Sequence, residues 1–82
     1  MQYSKTEQRL LDALRRHPNK NWTTEELADI AYEDRTRPRH WRASVLTLMR
    51  RLNLKSIADR QRVVRVTGLG RGQEAEWGLR MN

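Results

Sequence analysis

The sequence predicts an α+β fold, mainly helical, with three helices followed by a C-terminal β-hairpin. Three observations predict it. Apolar residues recur at the helical period over three stretches within the first 53 residues. Two of those stretches open on a Ser/Thr-x-x-Glu capping signature, Ser4 with Glu7 and Thr23 with Glu26. After Asp59 the period falls to two, in the β-branched run 62–67, and glycines at 68, 70 and 72 separate it from a returning run at 74–80. A length of 82 residues suits one domain, residues 1–82, with a thin core.

The first helix is predicted over residues 5–16. The Ser4 hydroxyl can accept from the third helical N–H while the Glu7 carboxylate reaches back to the Ser4 amide. Leu10, Leu11 and Leu14 form the buried stripe. Arg15, Arg16 and His17 occupy the last turn, where cations suit the negative end of the helix dipole, and Pro18 ends it. His17 reads as a solvated end residue, because no partner spacing makes it a ligand or a base.

Residues 18–21 form a turn and Trp22-Thr23 a very short strand. The second helix is expected over residues 24–32, opened by the Thr23/Glu26 capping box. Trp22 and Leu27 are spaced as the hydrophobic staple that fixes how a chain approaches its helix. Leu27, Ile30 and Ala31 face inward. Glu25, Glu26 and Asp29 read as a solvated face matched to the dipole, and they make this helix unsuited to lie along phosphates.

The third helix carries the functional expectation. Pro38 suits a first helical turn, since its missing N–H would be unpaired there, and it holds Arg37 extended. The helix is therefore predicted to start at 38 and to run through Asn53. At about 100° per residue, Trp41, Val45, Leu48 and Leu52 fall on one stripe with Met49 at its edge. Arg39, His40, Ala43, Thr47, Arg50 and Arg51 fall opposite. Cations, hydrogen-bonding groups and one small residue on an open face suit a helix that reads a duplex groove, although a solvated basic face has the same pattern. Beyond it, Ile57 is expected under the core. Residues 62–67 read as a strand, 68–73 as the turn and 74–80 as the returning strand. Trp77, Leu79 and part of the 63–66 run should face the helices.

Charge is unevenly placed. Residues 1–34 carry a net −2 and residues 35–82 a net +9, within an overall +7. Such asymmetry points to one half that packs and another that meets an anion, polyphosphate foremost. Lys55 is the one lysine of the basic half, and arginine's planar fork fits phosphate and guanine edges better than a point charge. With no cysteine, neither disulfides nor thiolate metal sites hold the chain together. No apolar run reaches the ~20 residues of a membrane span, and no secretory signal opens the chain, so a cytoplasmic, non-membrane protein is expected.

Catalysis finds little support. His17 and His40 lie on separate elements, away from a carboxylate at triad-like or metal-ligand spacing. Gly68, Gly70 and Gly72 lack the Gly-Lys-Ser/Thr of a phosphate loop. No catalytic residue, cofactor or metal is therefore assigned.

Three helices followed by a β-hairpin, with the third helix basic, is the order of a winged helix-turn-helix. The chain resembles most closely the DNA-binding output domain of the OmpR/PhoB response regulators, over about residues 6–80. In that family the third helix has apolar spacing followed by Leu-Arg-x-Lys-Leu, and the hairpin reads roughly Thr-Val-x-Gly-x-Gly-Tyr. Here Trp41, Val45, Leu48 and Leu52 keep the apolar spacing, and Arg50 and Arg51 fall in the basic part. Val66-Thr67-Gly68-Leu69-Gly70 looks like the strand-to-wing turn. The departures are Met49 in place of an arginine, a longer wing tip, and neither an N-terminal antiparallel sheet nor a receiver domain, so phospho-aspartate regulation is not implied.

The resulting expectation is sequence-specific binding of double-stranded DNA by a bacterial or phage transcriptional regulator. Arg39, His40, Ala43, Thr47 and Arg50 are the candidates for base edges. Arg35, Arg37 and Arg51 are assigned to phosphates, and Arg71 on the wing tip to phosphate or the adjacent minor groove. Trp22, Trp41 and Trp77 are read as core, not as stacking platforms. One short reading helix implies a homodimer on DNA, tandem sites or a larger regulatory partner. The same basic face would also suit a winged-helix protein–protein module or an RNA-binding domain.

Overall fold

Both capping boxes form, and they set the first two helices. The structure, a computed structural model, describes residues 3–67 and 75–81. Helix α1 spans Lys5–Arg16; Glu7 N–H donates to Ser4 Oγ at 3.2 Å, and Ser4 N–H donates to Glu7 Oε1 at 2.8 Å. Strand β1 is Trp22–Thr23, and α2 spans Thr24–Ala31. Glu26 N–H donates to Thr23 Oγ1, and Thr23 N–H to Glu26 Oε1, both at 3.1 Å. Leu10, Leu11 and Leu14 are buried as predicted. On α2, Leu27, Ala28 and Ala31 are buried and Ile30 packs at the margin.

Helix α3 spans Trp41–Lys55, three residues later at its start and two longer at its end than the sequence predicts. Pro38 lies in a turn ahead of the helix instead of in its first turn. Its carbonyl accepts the Trp41 N–H at 3.1 Å, and His40, at φ −100° and ψ 34°, is not yet helical. The inward stripe is also rotated. Val45, Met49 and Leu52 are fully buried, while Trp41, Leu46 and Leu48 pack at the edge. Met49, read as an edge residue, is the centre of the contact.

Strands β2, Gln61–Thr67, and β3, Glu76–Met81, form the hairpin, and β1 joins it to give a three-stranded antiparallel sheet of order β1-β3-β2. Trp22 pairs with Trp77 across β1 and β3, and Val63 with Leu79 across β2 and β3. Gly78 is closely surrounded: a Cβ there would lie 3.0 Å from Asn21 Oδ1, 3.3 Å from a Val66 methyl and 3.4 Å from the Lys20 carbonyl oxygen. The described residues thus make a small α+β fold of three helices and one antiparallel sheet, with Val63 and Trp77 closing the core from the sheet side.

The connection from α3 to β2 departs from expectation. Ile57 stands half exposed, and Ser56 is fully buried in its place. The Ser56 hydroxyl accepts the Val63 N–H at 2.9 Å and donates to the Asn53 carbonyl at 3.3 Å. A hydroxyl that satisfies a buried strand amide outranks an isoleucine at that spot, because an unpaired buried N–H costs about 1–3 kcal/mol.

Glu7 ties the N-terminus to this end of α3. Its carboxylate is buried and takes Lys55 Nζ at 2.6 Å. Burial pushes the carboxyl up, but the Lys55 hydrogen bond, the Ser4 amide and hydroxyl, and the Lys55 charge outweigh it and hold it below the ordinary range. Beside it the Tyr3 hydroxyl donates to Asp59 Oδ2 at 2.5 Å; burial and that carboxylate push the phenol up to about 12.

Two outcomes are expected. Met49→Ala should cost about 2–5 kcal/mol in urea unfolding, as a buried long side chain at the centre of a core does; a cost under about 1 kcal/mol would place Met49 outside the core. Because the native Glu7 carboxyl lies below its unfolded value, it stabilises the fold above the unfolded pKa of about 4.3, and that contribution is lost as pH falls through the native pKa. The stability gap between wild type and Glu7→Gln should therefore be full near neutrality and shrink in acid; a gap constant down to about pH 2 would contradict this.

Candidate nucleic-acid interface

Burying Val45, Met49 and Leu52 turns the opposite side of α3 to solvent. Ala43, Thr47, Arg50 and Arg51 are exposed on it, and Arg39 and His40 are exposed in the turn that leads into it. The Thr47 hydroxyl donates to the Ala43 carbonyl at 3.0 Å, which orients the side chain and leaves its oxygen free to accept. Among the described residues, Arg39, Arg50 and Arg51 have no ion-pair or hydrogen-bond partner for their side chains.

The rest of the charge is arranged differently. Arg9 binds Asp34 through both guanidinium ends at 3.3 Å and Glu33 at 3.1 Å, and its hydrogen bonds hold the Asp34 carboxyl below the usual range. Lys20 Nζ meets Glu26 Oε2 at 2.7 Å and, with the Thr23 amide, lowers that carboxyl. The acidic half is thus largely paired locally, with Glu7 and Asp29 taking Lys55 and Arg37 from beyond residue 34. From residue 35 to residue 58 the chain has seven Lys/Arg and no Asp/Glu, so α3 carries no carboxylate of its own.

Arg35 and Arg37, the phosphate candidates ahead of α3, are held by neighbours. Arg35 lies 5.2 Å from the Tyr32 ring centre. Arg37 pairs with Asp29 on α2 and stacks on Trp41 at 4.7 Å, with Arg42 on the same ring at 4.5 Å. Trp41 is half-buried, packing against the core while keeping these two guanidinium groups beside it. Trp22 and Trp77 are core residues, 8% and 4% exposed. Arg71 and the predicted turn at 68–73 lie outside the described residues.

Sequence reasoning missed Arg42 and Arg65. Arg42, Leu46 and Arg50 recur every four residues, so they form a second stripe on α3, turned toward the hairpin. Arg65 pairs with Trp77 across the hairpin, which puts it on the face of the sheet nearest α3. A cleft of about 230 Å³ lies between them, with Arg42, Leu46, Arg50, Arg65 and Trp77 in its lining. The stripe was legible in the spacing; its facing strand residue was not, because that requires the angle at which the hairpin packs.

Comparison with protein-family models, curated proteins and solved structures finds no match for this chain. Among the described residues no helix is long and apolar enough to cross a membrane, and no group of three or more His, Cys, Asp or Glu is placed to hold a metal ion. Geometry and charge therefore carry the functional reading.

Arg39, in the turn before α3, and Arg50 and Arg51, on it, make no hydrogen bond or ion pair among the described residues. Arg39→Ala, Arg50→Ala and Arg51→Ala should each leave unfolding free energy within about 0.5 kcal/mol of wild type. A loss above about 1.5 kcal/mol for any of them would show that this face is packed.

Proposed function

We propose that this protein binds double-stranded DNA sequence-specifically as a winged helix-turn-helix domain, with α3 in the major groove, and acts as a transcriptional regulator of bacterial or phage type. The observation that carries this reading is the division of α3: Val45, Met49 and Leu52 are locked in the core, while Ala43, Thr47, Arg50 and Arg51 stand in solvent, with Arg39 exposed in the turn before the helix. A 15-residue helix is about 22 Å long. A major groove about 12 Å wide admits it. Arginine meets guanine bidentately, and alanine and threonine meet the thymine methyl. The element order supports the winged-helix reading, with the β2–β3 hairpin packed beside α3 as a wing would be.

Selection of bound duplexes from a random pool, followed by salt titration of the selected duplex, tests the proposal. Binding should discriminate between sequences and weaken steeply with salt. Arg39→Ala should cost about 1–3 kcal/mol and relax specificity at one base pair, whereas Arg51→Ala should weaken all sequences alike and lower the salt slope by about one. Equal effects of both on every sequence would leave a purely electrostatic contact. Preference for structured RNA over duplex, or steep salt dependence toward an acidic protein alone, would replace the DNA reading.

A further inference from the structure

The hairpin sets two like charges side by side on the face that the helices leave uncovered. Val63 and Trp77 belong to the core and Leu79 packs against it, so these three residues face the helices. Side chains alternate along a strand. Arg62 and Val64 on β2, and Gly78 and Arg80 on β3, therefore lie on the opposite, outer face. Val66 joins them, with a methyl 3.3 Å from where a Gly78 Cβ would stand. On this face Arg62 lies directly opposite Arg80, and Val64 directly opposite Gly78. Opposed Cβ atoms are about 5 Å apart, and like charges so placed repel.

Elsewhere the fold pairs the cations that it orders: Arg9, Lys20, Arg37 and Lys55 each bind a carboxylate. Among the described residues, the side chains of Arg62 and Arg80 have no hydrogen-bond or ion-pair partner. Arg62 is moreover half-buried, and its Nε is enclosed without an acceptor. A cation drawn out of water and left unpaired destabilises a fold. The carboxylate nearest in sequence, Asp59, is engaged by the Tyr3 hydroxyl at 2.5 Å and by Arg15 at 3.9 Å. Next to the two arginines the face is apolar, with Val64 half-buried and Val66 40% exposed.

We propose that the outer face of the sheet docks an acidic segment of another protein, with Arg62 and Arg80 holding one carboxylate between them and Val64 and Val66 receiving an apolar side chain beside it. The occupant follows from charge and from the company the charges keep. Two opposed guanidinium groups offer donors to both oxygens of a carboxylate, and charge-assisted hydrogen bonds of that kind are the strong ones. A carboxylate seated there also turns the repulsion across the strands into attraction. A phosphate backbone fits the face less well. Its cations are confined to one end, valines follow, and Glu76 continues the same face along β3. The sheet separates this surface from the helices, so an acidic segment and a duplex on α3 occupy different sides of the molecule. The proposal does not rest on the DNA reading.

The test is selection of peptides from a displayed random library by the full chain, followed by fluorescence anisotropy of the best peptide, labelled, against variants. Selected peptides should combine Asp or Glu with apolar residues. Arg62→Glu and Arg80→Glu should each weaken binding about tenfold or more, the loss expected when a hydrogen bond to a charged group is removed. Val66→Ser should weaken it less, and Arg51→Glu on the open face of α3 should leave it unchanged. Arg62→Gln removes the charge and keeps the length, and covers the case in which Arg62→Glu is poorly folded. The double variant Arg62→Glu/Arg80→Glu should regain binding to a version of the peptide whose acidic residues are replaced by lysine. A saturating duplex should not displace the peptide. The proposal is overturned if the library yields no acidic enrichment, or if Arg62 and Arg80 variants bind the peptide as wild type does. It is also overturned if Arg51→Glu abolishes binding or duplex competes, because the peptide then occupies the face of α3. Failure of α3 to bind any duplex would remove the DNA reading and leave this result intact.

Discussion

The packing of Val45, Met49 and Leu52 against α1, α2 and the sheet is the constraint from which the rest follows. A helix has one circumference; once these three residues are enclosed, its remaining faces are assigned. Arg39, Ala43, Thr47 and Arg51 are left in open solvent, and Arg42 and Arg50 flank the hairpin. The aliphatic seam stabilises the fold through area removed from water and a close-packed contact. Its functional consequence is orientation: it aims a carboxylate-free arginine surface outward.

The same economy governs the charges. Each capping box uses a glutamate twice, once to close a helix end and once to bind a lysine: Glu7 with Lys55, and Glu26 with Lys20. Arg9 and Arg37 bind the carboxylates at the end of α2 and just after it. These pairs leave the first half of the fold locally balanced, so the field of the molecule is set by α3 and β2. A phosphate backbone would meet that field over several ångströms of approach, at a Debye length of about 8 Å in physiological salt. Base discrimination would then depend on the few side chains at the centre of the open face.

Local features were legible in the sequence and long-range ones were not. Both capping boxes, the ends of α1, the two-residue strand β1 and the inward leucines of α1 follow from residues within four positions of one another. The outward position of Ala43, Thr47, Arg50 and Arg51 followed from the helical period, whereas Arg39 and His40, expected on the helix, are exposed in the turn before it. Pro38 misled because the rule for proline at a helix start applies equally to the turn before it, and only the Trp41 amide bond to its carbonyl separates the two. Ile57 misled because hydrophobicity was weighed without the strand amide at Val63, which needs the Ser56 hydroxyl. Arg65 could not be placed beside α3 until the hairpin register was known.

The most direct measurement is a ¹H–¹⁵N NMR titration of the protein with a duplex taken from the random-pool selection. The largest shift changes are expected at the backbone amides of Arg39, Ala43, Thr47, Arg50 and Arg51, with Leu11, Leu27 and Met49 little altered. Changes centred on α1 and α2, with the amides of α3 still at saturating duplex, would contradict it.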